Sequence, residues 1–334
     1  MKILKFLPVL FLCFLILSYT GLSQASNYKI ISKIELSNEG KYDYLSLDEQ
    51  SHKLYVSNGS KVHVVDLQTD KVVGVIDNLS GVHGIAIAAE FNKGFISNGG
   101  NNTITVFDLK SNKVLENIKI SGKKPDAIVY EPLTKRIFSF NGGSEDATAI
   151  DAKTNKIAGT VALESGPEFS CSDGKGKMFV NIEEKNDVVC FDPKNLKVIS
   201  TWSLSPCTTP TGMAMDIENN RLFVGCRSKH LVVVDAGNGK VIATLPIGAG
   251  VDACAFDKNT KQIYCSCKDG SITVIKQESA DKYSVLDNIK TMDGAKTMAI
   301  DKSTQRLYTS TIIDKKEENG KKTVTFGVLV LDNK

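Results

Sequence analysis

Seven positions spaced 40 to 44 residues apart carry the side chains best suited to chemistry: Asp43, His83, Asp126, Glu168, Thr211, Asp252 and Lys296. Six are ionisable, in a repeat whose neighbouring positions are small or apolar. Four are carboxylic acids. Two carboxylates about 8 Å apart at an effective dielectric near 20 repel by roughly 2 kcal/mol. Four gathered on one ring therefore need counter-charge: a protonated His83, the Lys296 ammonium, water or a bound cation. Hard oxygen donors suit calcium or magnesium, which makes Asp43, Asp126, Glu168 and Asp252 the candidate metal ligands. His83 is the one residue placed for acid–base work, because imidazole titrates near neutrality. Two plainer readings compete with these: a site for a polar ligand, and a ring that only hydrates.

What would bring these residues together is a repeat. Each lies five residues before the end of a short apolar run, at Asp48, Ala88, Glu131, Asp173, Asp216, Asp257 and Asp301. The next run repeats an aromatic, at Tyr55, Phe95, Phe138, Phe179, Phe223, Tyr264 and Tyr308. A third run ends in Asp66, Asp108, Asp151, Asp192, Asp235 and Asp332, with Lys276 breaking the rule. Pro210 to Gly250 shows a whole unit, with four short strand-like runs separated by turns rich in Asn, Asp and Gly. A single four-stranded sheet cannot bury its two apolar faces alone and needs neighbours. Seven such units at this period predict an all-β fold, a seven-bladed β-propeller of four-stranded antiparallel blades. The blades fall at about 42–78, 82–122, 124–166, 167–206, 210–250, 251–294 and 295–334 plus 28–37. In this arrangement the first strand is innermost, so the seven residues surround one mouth of the central channel. The second-to-third strand loops open on that same face and bring Asn58, Asn98, Asn101, Asn141, Glu145, Asp146, Glu183, Glu184, Arg227 and Lys268.

The stretch LYVSNGSKVHVVDLQTDKVVGVI (Leu54–Ile76) resembles the YVTN repeat of bacterial seven-bladed propellers, and two further units match it. The resemblance runs through all seven units and is similar to the YncE-like exported proteins. It implies the fold, and an activity only weakly. Lys276 and an enlarged loop in the last unit depart from the pattern.

The chain opens with Lys2 and Lys5, an apolar run from Phe6 to Leu17, and Ser23-Gln24-Ala25. This reads as a secretory signal, residues 1–25, followed by one domain over 26–334. Export to the periplasm or the medium is the expectation, with no membrane span after cleavage. Losing the signal removes two lysines and no acid, so the formal charge of +3 falls to +1. The segment Tyr28–Ser37 matches the fourth strand of the Pro210–Gly250 unit, whereas the last unit stops after its third strand. Tyr28–Ser37 is therefore expected to pair with Val328–Leu331 and close the ring, burying Ile30, Ile34 and Leu36. Unit six is expected to differ in a longer third turn, Lys276–Lys282, and unit seven to carry its charged DKKEENGKK run on a hairpin tip.

Seven cysteines lie beyond the signal, so at least one stays a free thiol. Cys254 faces Cys265 across a hairpin and forms one candidate disulfide; Cys207 and Cys226, both on the channel-mouth face, form another. Buried thiols acting as small apolar groups are the plain reading. Several functions are disfavoured. No C-x-x-C-H motif for covalent haem occurs, and no G-x-S-x-G elbow. Lysines spread through the turns leave no basic footprint for nucleic acid. Two readings of function stay open. One is a non-enzymatic, monomeric binding scaffold that holds a small ligand or an envelope protein at the channel mouth. The other is a metal-assisted enzyme of the lactonase or lyase kind, with His83 as its acid–base group. A structural envelope protein using its outer strand edges is a weaker third.

Overall fold

The computed structural model describes residues 27–37, 41–318 and 320–333. The expected signal lies outside them. Seven four-stranded antiparallel sheets form a seven-bladed β-propeller. Within a blade the strands run from the channel outward in chain order, as in Pro210–Asp216, Arg221–Cys226, His230–Asp235 and Val241–Pro246. Among the described residues no helix is long and apolar enough to cross a membrane.

The repeated residues explain the blades. The second-strand aromatics are all fully buried, because both faces of the middle strands pack against neighbouring sheets. Tyr55 of the first blade, for example, meets Phe107 of the second at 5.3 Å between ring centroids. The acids that close the first and third strands are turn formers. Asp48 Oδ1 accepts from the backbone N–H of Gln50 and Ser51, and Asp108 Oδ1 accepts from Lys110 and Ser111 in the same way. These regular carboxylates therefore build hairpins and do not face the channel.

The ring closes through its front end. Lys29–Ser37 pairs antiparallel with Lys321–Asp332, Ile34 lying opposite Val328. The packing differs from expectation in one respect. Ile34 is buried, but Ile30 and Leu36 are only half-buried. Register slips after Ile30 and Glu35 disturb the alternation that would have turned both inward. Tyr28 takes over as the second anchor: it is buried, donates its hydroxyl to Gln305 O at 2.8 Å and meets the Tyr264 ring edge-on.

Blade six also corrects the sequence reading. Its extra residues mostly extend the outer hairpin rather than a turn, since Ser271–Ser279 and Lys282–Lys290 stay paired up to Ser279 opposite Lys282. Contacts with blade five hold the extension. Gln277 donates to Asp216 Oδ2 at 2.8 Å, and Tyr283 meets Phe223 edge-on. In blade seven, Arg306–Glu318 and Lys321–Asp332 form a long hairpin that carries the charged run at its end.

Candidate functional site

A recurrent backbone irregularity delivers the ring residues. In five blades the innermost strand holds one more residue than its partner. The slips lie between Val82 and Ile85, Pro125 and Ile128, Pro167 and Ser170, Pro210 and Gly212, and Val251 and Ala253. His83, Asp126, Glu168, Thr211 and Asp252 sit in these bulges. A β-bulge re-aims a side chain that regular pleating would turn into the sheet. In blades one and seven the strand starts later, at Leu45 and Met298, so Asp43 and Lys296 lie on the approach to it.

Five of the seven residues form one connected cluster. His83 Nδ1 lies 2.7 Å from Asp43 Oδ2 and 3.6 Å from Asp126 Oδ1. The Lys296 ammonium sits between Asp43 Oδ1 at 3.4 Å and Asp252 Oδ2 at 3.5 Å, and Lys268 lies 3.8 Å from Asp252. Glu168 belongs to a second group. It hydrogen-bonds Glu183 from the loop of its own blade, and Glu183 pairs with Arg227 of the next blade at 2.5 Å. Thr211 stands apart: it is buried and donates to Thr209 O. The four acids therefore do not meet at one point. Among the described residues, Asp43, His83 and Asp126 are the group whose ligand atoms all lie within 4.8 Å of one another. Of the loop residues on this face, Glu183, Arg227 and Lys268 reach the network.

The charges respond to this packing. Burial, and then the charge on Asp43, pushes the Asp126 carboxyl up to about 6. Burial, then Asp126 and Glu183, pushes Glu168 up to about 9, so at neutral pH it is a protonated acid that donates to Glu183. The hydrogen bond to Asp43 raises His83 against the opposing effect of burial. Burial also works against the Lys296 charge, but Asp43 and Asp252 outweigh it and raise that group.

Two residues that the ring count passed over shape the site. Tyr44 of blade one and Phe169 of blade four meet across the channel, with ring centroids 4.8 Å apart. Burial, followed by the charges of Asp126, Glu168, Asp43 and Asp252, raises the Tyr44 hydroxyl well above its ordinary value, which places this ring beside the acids. The pair plugs the channel next to the polar cluster. Its signal lay one residue along. The position after each ring residue is Gly84, Ala127, Gly212, Ala253 or Thr297 in five blades, and Tyr44 or Phe169 in the other two. Beside the plug, an open cavity of about 780 Å³ is lined by Tyr42, Asp43, Ser60, Ser80, His83 and Lys296.

Cys207 and Cys226 form a disulfide, with Cα atoms 5.7 Å apart, on the mouth face of blade five. The alternative bridge does not form. Cys254 and Cys265 face each other in register, but their sulfurs are 3.6 Å apart and both are free thiols. The Cys254 sulfur instead occupies space left by Gly212 and Gly225 of blade five, where an added Cβ would come within 3.0 and 2.6 Å of it. The other histidines lie elsewhere. His52 is in a left-handed turn, His63 is buried against Asn58, and His230 begins a third strand beside Ser228.

Solved structures share the fold. A chain of Kuenenia stuttgartiensis hydrazine synthase is 16% identical, with a TM-score of 0.72 over 83% of this chain and 94% of that one. U3-55K is 8% identical, with a TM-score of 0.75 over 89% and 98%. At these identities the likeness shows the fold alone. No protein-family model matches the chain, and no curated protein matches it.

Proposed function

We propose that this chain is an exported, non-enzymatic propeller of the YVTN-repeat, YncE-like kind that holds a small polar ligand at its channel mouth. The observation that carries the reading is the Asp43–His83–Asp126–Lys296–Asp252 cluster, of which Asp43, His83 and Lys296 line an open cavity, beside an aromatic plug. Acceptors and donors of both signs, drawn from five rigid blades, suit a ligand that both gives and takes hydrogen bonds. The Cys207–Cys226 disulfide is in keeping with an oxidising compartment. A thermal-shift screen of amino acids, sugars, amines and organic acids tests the reading. Compounds that stabilise the wild type and leave His83→Ala plus Lys296→Met unchanged support it. Equal stabilisation of both proteins, or none of either, counts against it.

A second reading, metal-assisted catalysis of the lactonase or lyase kind, draws on the convergence of Asp43, His83 and Asp126. Lactone hydrolysis by the wild type and not by His83→Ala would favour it.

A further inference from the structure

We infer that Asp43, His83 and Asp126 bind one divalent ion of the manganese-to-zinc series rather than calcium or magnesium. The inference rests on the reading of the mouth as the ligand site and names one of its ligands. The three donors come from three successive blades, and a nitrogen stands among them. Calcium and magnesium take oxygen ligands, whereas imidazole suits zinc and its neighbours. A cage of all four carboxylates does not match where they sit, because Asp252 lies with Lys296, Glu168 is turned to Glu183, and Asp43 and Asp126 are the two acids that converge with His83.

The geometry is close to what such an ion needs. Bonds of about 2.0–2.1 Å in a tetrahedral site set donor atoms roughly 3.3 Å apart. The two edges that share His83 Nδ1, 2.7 and 3.6 Å, bracket that value, and all three donor atoms lie within 4.8 Å of one another. Asp126 Oδ1 is buried and has no hydrogen-bond partner, an unused acceptor beside the imidazole. His83 and Asp43 both line the cavity, leaving room for water or a ligand group in a fourth position. The backbone is shaped around the imidazole as well. A Cβ on Gly99 would lie 2.9 Å from both His83 Cδ2 and Nε2, so glycine there lets the ring stand where it does.

Equilibrium dialysis of the chain from Ser26 against Zn²⁺, with Ca²⁺ as comparison, tests this. One zinc ion per chain is expected, with calcium bound at least tenfold more weakly. His83→Ala and Asp126→Asn each weaken zinc at least tenfold. Gly99→Ala weakens it severalfold by displacing an intact imidazole, which keeps the test informative should the other variants fold poorly. Lys296→Met tightens it by removing a competing cation, and Cys265→Ser leaves it unchanged, separating this site from the free thiols. Zinc binding that is indifferent to His83→Ala, Asp126→Asn and Gly99→Ala overturns the inference, as does calcium bound equally well. Should zinc fail while small-molecule stabilisation still depends on His83 and Lys296, only the ion falls. Should both fail, the mouth reading falls with it.

Discussion

The front-end strand is the point at which a single substitution should cost most. Ile34 is 6% exposed, lies opposite Val328 of blade seven and belongs to a buried cluster that also holds Leu54, Val56 and Val65 of blade one, so it sits in the seam where the ring closes. Truncating a buried isoleucine to alanine costs about 2–5 kcal/mol. The strand is an edge that can relax, so Ile34→Ala should fall near 3 kcal/mol. Removing residues 27–37 would forfeit two fully buried side chains at about 2 kcal/mol each and two half-buried ones at about 1, roughly 6 kcal/mol in all. That is comparable with the whole stability of an ordinary domain, about 5–15 kcal/mol. Ile31, 48% exposed on the same strand, is the internal control; Ile31→Ala should cost less than about 0.5 kcal/mol. Guanidinium unfolding monitored by fluorescence and circular dichroism gives the difference. In a thermal scan Ile34→Ala should melt lower by about 5 °C. Equal stability of the two variants would refute the closure, because it would mean that the strand contributes nothing to the seam.

Three further outcomes follow from the channel and the thiols. Glu168 binds its proton far more tightly in the fold than in the unfolded chain. Its contribution is complete below about pH 4.5 and lost as pH rises towards about 9. Glu168→Gln should therefore be more stable than the wild type at pH 8, with the gap narrowing at pH 5; a gap that widens on acidification would contradict this. Tyr44→Ala should remove one half of the aromatic plug and, for this partly buried ring, cost about 2–3 kcal/mol, measurable by denaturant titration; a loss below about 1 kcal/mol would show that the rings do not pack across the channel. The unreduced, denatured chain from Ser26 should titrate five thiols. Three would mean that Cys254 and Cys265 are also bridged, and seven that Cys207 and Cys226 are not. Cys207→Ser with Cys226→Ser should cost about 3 kcal/mol, for a loop of 19 residues.

Much of this architecture is legible in the sequence, because a repeat places equivalent residues in equivalent surroundings. The buried aromatics from Tyr55 to Tyr308 and the acids from Asp48 to Asp301 set the number of blades, and counting back from the acids reached the channel mouth. What the repeat could not give were contacts between blades. That His83 meets Asp43 and Asp126 while Glu168 turns to Glu183 depends on the bulges and on the spacing of strands around the axis. The Tyr44–Phe169 plug was hidden for the same reason, since two aromatics 125 residues apart in sequence become neighbours only across a closed ring. Strand register sets Cys254 opposite Cys265, yet register does not set where the sulfurs point. In blade six, Gln277 and Tyr283 gained partners in blade five that made strand the better outcome for a stretch that reads as turn.

The most direct test of the account is an experimental structure of the chain purified without chelator and in the presence of a compound identified by the thermal-shift screen. The account predicts that this compound lies in the cavity beside the Tyr44–Phe169 pair, in hydrogen-bond contact with His83 or Lys296. A compound bound at the rim, on the opposite face or between outer strands, with the mouth holding only water, would contradict it.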